Sequence, residues 1–526
     1  MKKKINFSEW FLEKISKIET FVGKKILGYE KFLLEFEQKT RNFEAEQKRT
    51  LEEIIKDNAG TKWGRDNNFT SLKAEDWKKM PITIYEDISN YIQQILDGNI
   101  HALTCEKIDC FAQTSGTTAE PKLIPITKSS FLAQKAGADI WNLRINDAHL
   151  EDLTKVLILT GSSKRDKIKD YPIFSFTDLV RKNQHPFVRR RMVFPNELEY
   201  ISNFEHRLLI AAQQLFIAKP RTLISVNPLT ILRMASLIEE NRNLIKKFTE
   251  ERRYFGTKKE IKRKYNINET LNSIEEETPL SSVKLIGTWL GGTQEIFLNK
   301  IREKGVKATT RDIGYIATEG RFSIPLEDNT SSGVLSPFGI YYEFLTLDKK
   351  EVIPITELKE NSEYNIIITT KNGLYRYDMQ DIIRVDGFYN SAPIISFRRK
   401  DSLFSSIAGE KLHENQVVEA IKKGAGNIEK ILLVARSDPP RYVILVEEER
   451  KINGEKIDEY LKELNGEYKE KRESKRIGAI ETRYLTKENM KNVLDILKQG
   501  ESHEHDRFKR KYIVSLEEGK KLSKYF

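Results

Sequence analysis

Two short apolar runs separated by a long helix-patterned stretch set the terms on which this chain folds. KVLILTG at 155–161 and RTLISVNP at 221–228 each end in turn residues, the mark of a buried strand. Between them EYISNFEHRLLIAAQQLFIA (199–218) reads as a helix. Strand, helix and strand joined by crossovers of this length predict an α/β core. Ahead of it, Phe7, Trp10, Phe11, Ile15 and Ile18 recur at helical spacing. EAEQKRTLEEIIKDNAG predicts a helix that stops at Asn58-Ala59-Gly60, and YEDISNYIQQILDGN one that closes at Asp97-Gly98-Asn99.

From 333 to 398 the pattern changes to short strands: GIYYEFLTL, EYNIIITT, GLYRYD, DIIRVDGFYN and PIISFRR. These predict a β-rich subdomain joined to the α/β core. After Arg398-Arg399-Lys400-Asp401 a smaller α/β unit begins. It has a helix over 413–424, strands at KILLVARS and RYVILVEEE, further helices and a last strand near KYIV. A boundary near 402 divides the chain into 1–402 and 403–526.

Charge and composition exclude several classes. The net charge is +11, but 78 acidic residues are interspersed among 89 basic ones, and the densest basic stretch, 246–264, also carries Glu250, Glu251 and Glu260. With no zinc-finger, RNP or basic-zipper signature, nucleic acid is not expected as a partner. No apolar run approaches the ~18 residues of a membrane helix. The start, MKKKINFSEWFLEKI, is broken by Ser8, Glu9, Glu13 and Lys14, an amphipathic pattern and not a signal peptide. A cytoplasmic location without membrane attachment follows. Cys105 and Cys110 are expected as reduced, buried thiols, and no Cys/His set has zinc spacing. His101, His185 and His206 read as structural, and His503 and His505 as parts of a solvated loop.

The strongest local signal is Thr114-Ser115-Gly116-Thr117-Thr118-Ala119-Glu120-Pro121-Lys122. Hydroxyls, a glycine and turn amides converge on an anion, and a lysine adds a point charge. The spacing is not that of a Walker A loop. The order T-S-G-T-T-x-x-P-K resembles the nucleotide loop of the adenylate-forming superfamily (acyl-CoA synthetases, luciferases and peptide-synthetase adenylation domains), with Ala119 where many members have glycine. About 200 residues on, Gly314-Tyr315-Ile316-Ala317-Thr318-Glu319-Gly320 offers an aromatic face for adenine and a hard oxygen for magnesium. It resembles the superfamily's second motif, Y-x-x-[ST]-E. Tyr377-Asp378-Met379-Gln380-Asp381 resembles the third, Y-R-x-G-D, with Asp378 and Gln380 replacing the usual Arg and Gly. A carboxylate there accepts hydrogen bonds from both ribose hydroxyls. Alignment on Ile382-Ile383-Arg384-Val385 makes that ligand Asp381, with Asp378 as its competitor.

Several stretches resemble one branch, the auxin-responsive acyl-acid amido synthetases. They are Met80-Pro81-Ile82-Thr83-Ile84-Tyr85-Glu86-Asp87-Ile88 with Tyr91-Ile92, Phe338–Phe344, and Leu464-Asn465 with Tyr468, Arg472, Ile477-Gly478, Glu481 and Arg483. Arg507-Phe508-Lys509-Arg510-Lys511 resembles their Q-[FY]-K-x-P-R without the Gln and Pro. The resemblance spans about 45–515. It implies a large N-terminal adenylate-forming domain of mixed sheets flanked by helices, with a β-rich subdomain, and a small mobile α/β C-terminal domain.

The resemblance also implies ATP and Mg2+ as cofactors. Thr114, Ser115, Gly116, Thr117, Thr118 and Lys122 would hold phosphates, and Tyr315 would stack on adenine. Thr318 would contact the substrate carboxylate or α-phosphate, and Glu319 the magnesium. Arg398 would lie near the phosphates beside a hinge, Gly409-Glu410-Lys411-Leu412 would swing into the site, and Lys509 would neutralise the α-phosphate. Phe131, Trp141, Phe174 and Phe176 are candidates for the acyl pocket, each with a competing core role. The expected activity is ATP-dependent joining of a small-molecule carboxylic acid to an amino acid or other amine, by a monomer. The alternatives are an acyl-CoA ligase, disfavoured because only Gly519-Lys520-Lys521 stands where a P-K-T-x-x-G-K-like end is usual, and a nucleotide-binding interaction module without turnover.

Overall fold

The computed structural model describes residues 29–113, 122–159, 166–174, 189–291, 294–400, 404–405, 407–408, 410, 412–426, 430–498 and 511–526. The expected helix at the start of the chain, Thr114–Thr118, Phe176, His185, His503, His505 and Lys509 lie outside the described residues.

The two apolar runs form strands Val156–Leu159 and Thr222–Ser225, continued by Leu285–Thr288 and Thr309–Asp312 in a four-stranded sheet. All neighbours are parallel, in register Leu157↔Leu223, Leu223↔Ile286 and Ile286↔Thr310. The crossover helix Phe204–Ala218 starts where the Asn203 side chain accepts the N–H of His206 at 2.8 Å and ends at Lys219 with φ 47°. Helix Pro228–Glu250 has proline in its first turn and Asn227 accepting from the Leu229 N–H at 2.9 Å. Both termini thus satisfy donors that a helix leaves open. Helix Phe204–Ala218 is apolar nearly all round because it is buried from Arg207 to its end.

Leu123–Thr127, Ile108–Gln113, Tyr171–Phe174 and Asp166–Ile168 lie side by side in that order in a second sheet. The 333–398 region contributes most of a seven-stranded antiparallel sheet. Its order is Val352–Ile353, Ile340–Leu345, Glu363–Thr370, Tyr377–Tyr389, Ala392–Lys400, Gly333–Leu335 and Ser323–Ile324. Helix Phe43–Asn58 lies against it, and the Gln47 amide donates to Ile340 O at 3.0 Å and accepts from Tyr342 N at 2.8 Å. The C-terminal unit is a sheet ordered Glu481–Leu485, Pro440–Glu447, Ile431–Ser437 and Ile513–Val514. Its two central strands are apolar over Ile431–Ala435 and Tyr442–Val446 because both faces are covered there. Leu433, Ile444 and Val446 meet Val417, Ile421 and Leu461, whereas Leu432, Val443 and Leu445 meet Met490 and Val493. No described helix is long and apolar enough to cross a membrane.

Two expectations are corrected. Cys110 is buried but Cys105 is exposed, and both are free thiols. GLYRYD and DIIRVDGFYN are not two strands: Gly373 (φ 105°) and Arg376 (φ 44°) belong to a turn, and one strand then runs Tyr377–Tyr389. The cause is the Arg376 side chain, which is 4% exposed. Its Nε reaches both carboxylate oxygens of buried Glu343, at 3.1 and 3.0 Å, while Nη1 donates to Lys78 O at 2.8 Å and to Met80 O. Thr83 completes the join, donating its N–H to Arg376 O and accepting from Asp378 N at 2.9 and 2.8 Å. A buried ion pair stripped of one member leaves an uncompensated charge. Arg376→Met is therefore expected to cost about 3–5 kcal/mol in urea unfolding, with most of that recovered in Arg376→Met/Glu343→Leu. Equal loss in both variants would show that the pair is not what holds the turn.

Candidate active site

The ends of two neighbouring parallel strands are tied by one carboxylate. Asp312, last in its strand, accepts the N–H of Leu290 at 2.7 Å and that of Gly314 at 2.5 Å. Two indoles fix the same corner: Trp141 Nε1 donates to Asp312 O at 2.6 Å and Trp289 Nε1 to Gly314 O at 2.9 Å. Gly314 sits at φ 96°, and a Cβ there would lie 2.4 Å from Ser323 O, so glycine is required. The chain then turns back on itself through Ala317 N to Gly320 O at 2.8 Å and Phe322 N to Tyr315 O at 2.8 Å. This turn carries Tyr315, Thr318 and Glu319, with Thr318 buried and the other two half-buried.

The Tyr315 hydroxyl donates to Asp381 Oδ2, which joins the second and third motifs. Asp381 is 1% exposed. The Tyr315 ring packs against Phe322 and Phe397, with centroids 4.7 and 5.6 Å away. Burial first, then the Asp381 charge and the hydrogen bond to it, push the Tyr315 hydroxyl well above its ordinary pKa, so it stays a donor. Asp381 is aimed by an irregularity in its strand. The pairing with Glu363–Thr370 shifts register between Asn365 and Ile367, Gln380 takes φ 52°, and Asp378 Oδ1 accepts the Gln380 N–H at 2.7 Å. Such bulges re-aim side chains. The other oxygen of Asp378 takes the Lys349 ammonium at 2.7 Å. Of the two competing aspartates, Asp381 is the one joined to Tyr315.

Lys122 approaches from the second sheet. Gln113 and Leu123 are register partners. The Lys122 ammonium lies 5.3 Å from the Tyr85 ring centroid, and the Tyr85 hydroxyl accepts the Leu123 N–H at 2.9 Å. The Tyr377 hydroxyl is raised above its usual pKa by burial first and then by the charges of Glu319 and Glu86, and residue 377 forms a bridge with Thr83, two positions before Tyr85. Arg398 and Arg399 both turn to Glu363, at 3.4 and 2.5 Å.

Of the proposed pocket aromatics, Trp141 is a core residue bonded to Asp312 O, while Phe131 and Phe174 pack on Cys110, Ala112 and Ile126. His101 and His206 meet backbone carbonyls, at 3.3 and 2.7 Å, as structural histidines do. Asp312, Trp289, Tyr85, Tyr377 and Phe397 escaped the sequence reading. Tyr85 and Tyr377 lie inside stretches that carry the family resemblance, and Asp312 stands two residues before the second motif.

This arrangement, with parallel-strand ends facing a bulged antiparallel strand and a separate C-terminal α/β unit, is the adenylate-forming fold. The chain resembles 2-hydroxyisobutyryl-CoA ligase in the postadenylation state with a TM-score of 0.51, at 12% identity over 93% of this chain and 90% of that one. Against the GH3.15 acyl acid amido synthetase the TM-score is 0.78, with 20% identity over 92% of this chain and 94% of the other. In sequence it is 25% identical to jasmonoyl–L-amino acid synthetase JAR4 of Nicotiana attenuata, over 89% of this chain and 90% of that protein. The N-terminal, central and C-terminal domains of the GH3 family match residues 32–305, 333–400 and 415–514. The chain belongs to the GH3 family and is an amide-forming ligase of the amido synthetase kind.

Burial lifts the Asp312 carboxyl to about 7, against the lowering effect of the two backbone donors and of Arg321. Arg321 is itself drawn down to about 10 by burial, so it remains charged at neutral pH. A carboxyl whose folded pKa exceeds its unfolded value contributes stability at low pH that is lost as pH rises through the folded value. Relative to Asp312→Asn, the wild-type unfolding free energy should therefore fall by a few kcal/mol between about pH 4 and pH 7. A difference that stays constant across that range in chemical denaturation would remove Asp312 as the titrating group.

Proposed function

We propose that this enzyme uses ATP to activate a small-molecule carboxylic acid as its acyl-adenylate, and then passes the acyl group to an amino acid or another amine. The hydrogen bond between Tyr315 and Asp381 carries the reading, because it unites two motifs whose residue types suit one nucleoside. Asp381 would accept the ribose hydroxyls, and the Tyr315 and Phe397 rings offer faces for adenine. Thr114, Ser115, Gly116, Thr117, Thr118 and Lys122 would hold the phosphates. Thr318 would meet the substrate carboxylate or α-phosphate.

Glu319 supplies a hard oxygen for Mg2+, which when bound neutralises phosphate charge.

In the first step a carboxylate oxygen attacks the α-phosphorus as the bond to the pyrophosphate oxygen breaks. Acid and triphosphate are both anionic, so the work is positioning and charge neutralisation, to which Lys122, Arg398 and Lys509 would add positive charge. In the second step the amine nitrogen attacks the acyl carbon, the bond to AMP breaks, and the amine loses a proton. A pivot at 398–411, between proposed domains 1–402 and 403–526, would let the smaller domain turn between steps. A cytoplasmic monomer suits this scheme, as each chain carries all the named residues. The activities named for the relatives, jasmonoyl–amino acid and acyl acid amido synthetases, support an organic acid and an amino acid as the substrate pair.

Lys122→Ala and Glu319→Ala should each lower acid-dependent pyrophosphate exchange by about 100-fold or more. Asp381→Asn should raise KM for ATP about 10- to 100-fold, from the loss of charge-assisted bonds, while Asp378→Asn changes it little. Wild-type exchange in Lys122→Ala or Glu319→Ala would refute the assignment. Mass spectrometry of acids incubated with ATP, amino acids and CoA tests the second step, since an acyl-CoA product in place of an amide would overturn it.

A further inference from the structure

We propose that Tyr85 is a positioning residue that sets the phosphate-binding lysine, Lys122, by holding both its backbone and its ammonium. The inference rests on the phosphate role given to Lys122 above and adds a residue that no motif assigns. Tyr85 has two separate contacts with the end of that segment. Its hydroxyl accepts the Leu123 N–H at 2.9 Å, fixing the peptide immediately after Lys122. Its ring lies 5.3 Å from the Lys122 ammonium, where the negative face of an aromatic attracts a cation.

Neither contact would matter if Tyr85 were loosely held, and it is not. It is the first residue of helix Tyr85–Leu96, whose cap closes through the Ile84 N–H to Asp87 Oδ2 at 2.8 Å. Two residues earlier, Thr83 is locked to the turn at Arg376 by its N–H and by its hydroxyl, which donates to Tyr375 O at 2.7 Å. The chain that carries Tyr85 is thus fastened to the strand that carries Asp381. A lysine has four rotatable bonds and loses much side-chain freedom when fixed. A ring beside the ammonium and a bond to the adjoining peptide restrict that freedom before the triphosphate arrives, which strengthens binding without adding a contact to the nucleotide.

The test measures binding of a non-hydrolysable ATP analogue and of AMP to the full chain by calorimetry. Tyr85→Phe, which loses only the hydroxyl, should weaken the analogue about 5-fold, and Tyr85→Leu, which also loses the ring, about 20-fold. AMP lacks the β- and γ-phosphates, so its affinity should stay at the wild-type value in both variants. In a Lys122→Met background, Tyr85→Leu should cause no further loss. Equal weakening of AMP and the analogue, or losses that add across the Lys122→Met and Tyr85→Leu pair, overturns the inference while leaving the phosphate role of Lys122 standing. An unchanged analogue affinity in Lys122→Met itself overturns that role and the inference together. Should Tyr85→Leu fail to fold, Tyr85→Phe with the two nucleotides decides the matter alone.

Discussion

A guanidinium taken out of water has to be paired, and the way Arg376 is paired organises the front of this molecule. Its partners are the Glu343 carboxylate in one strand of the seven-stranded sheet and the carbonyls of Lys78 and Met80 in a segment nearly 300 residues earlier. Meeting all three forces the backbone of Arg376 into the left-handed region and ends the preceding turn there. The strand that follows starts at Tyr377, and its register shift opposite Asn365 and Ile367 aims Asp381 at Tyr315. The contacts of Arg376 bring in the segment that carries Tyr85, so one buried charge fastens that segment to the strand that carries Asp381.

On the other wall the parallel sheet ends in a second set of buried charges. Asp312 bonds to the backbone of two strands' ends, with Arg321 close by and Asp139, whose carboxyl is raised by burial, beyond it on the helix Lys128–His149. The loop bearing Tyr315, Thr318 and Glu319 is therefore braced by buried groups. Ligands of open α/β sheets bind at the carboxyl ends of parallel strands, and here those ends are stiffened by a carboxylate, two indoles and a glycine that tolerates no side chain.

The parallel strands and their crossover helices were legible because their signals are local. An apolar run of four residues, an asparagine cap and a proline in the first turn each declare themselves within a few positions. The C-terminal strands and helices were readable for the same reason. The turn at 373–376 was not, because GLYRYD has strand-like residues and only the burial of Arg376 against distant partners bends it. In the site, residue types and motif order indicated Lys122, Tyr315, Glu319 and Asp381. The supporting residues Tyr85, Asp312, Trp289 and Phe397 act through hydrogen bonds and ring contacts to other segments that leave no periodic trace. Asp378 and Asp381 were ranked by alignment and not by chemistry, as both are aspartates three positions apart, and in the structure their partners separate them, Tyr315 for Asp381 and Lys349 for Asp378.

The two departures from the usual third motif turn out to depend on each other. A side chain at 380 gives up the ease with which glycine enters left-handed backbone, at a cost of about 1 kcal/mol. The carboxylate at 378 offsets it by gripping the amide of that same residue. Neither change is neutral alone, but together they make a self-supporting loop. A design that places glycine at 380 has reason to revisit 378 as well, because the grip on that amide then has no backbone strain to offset.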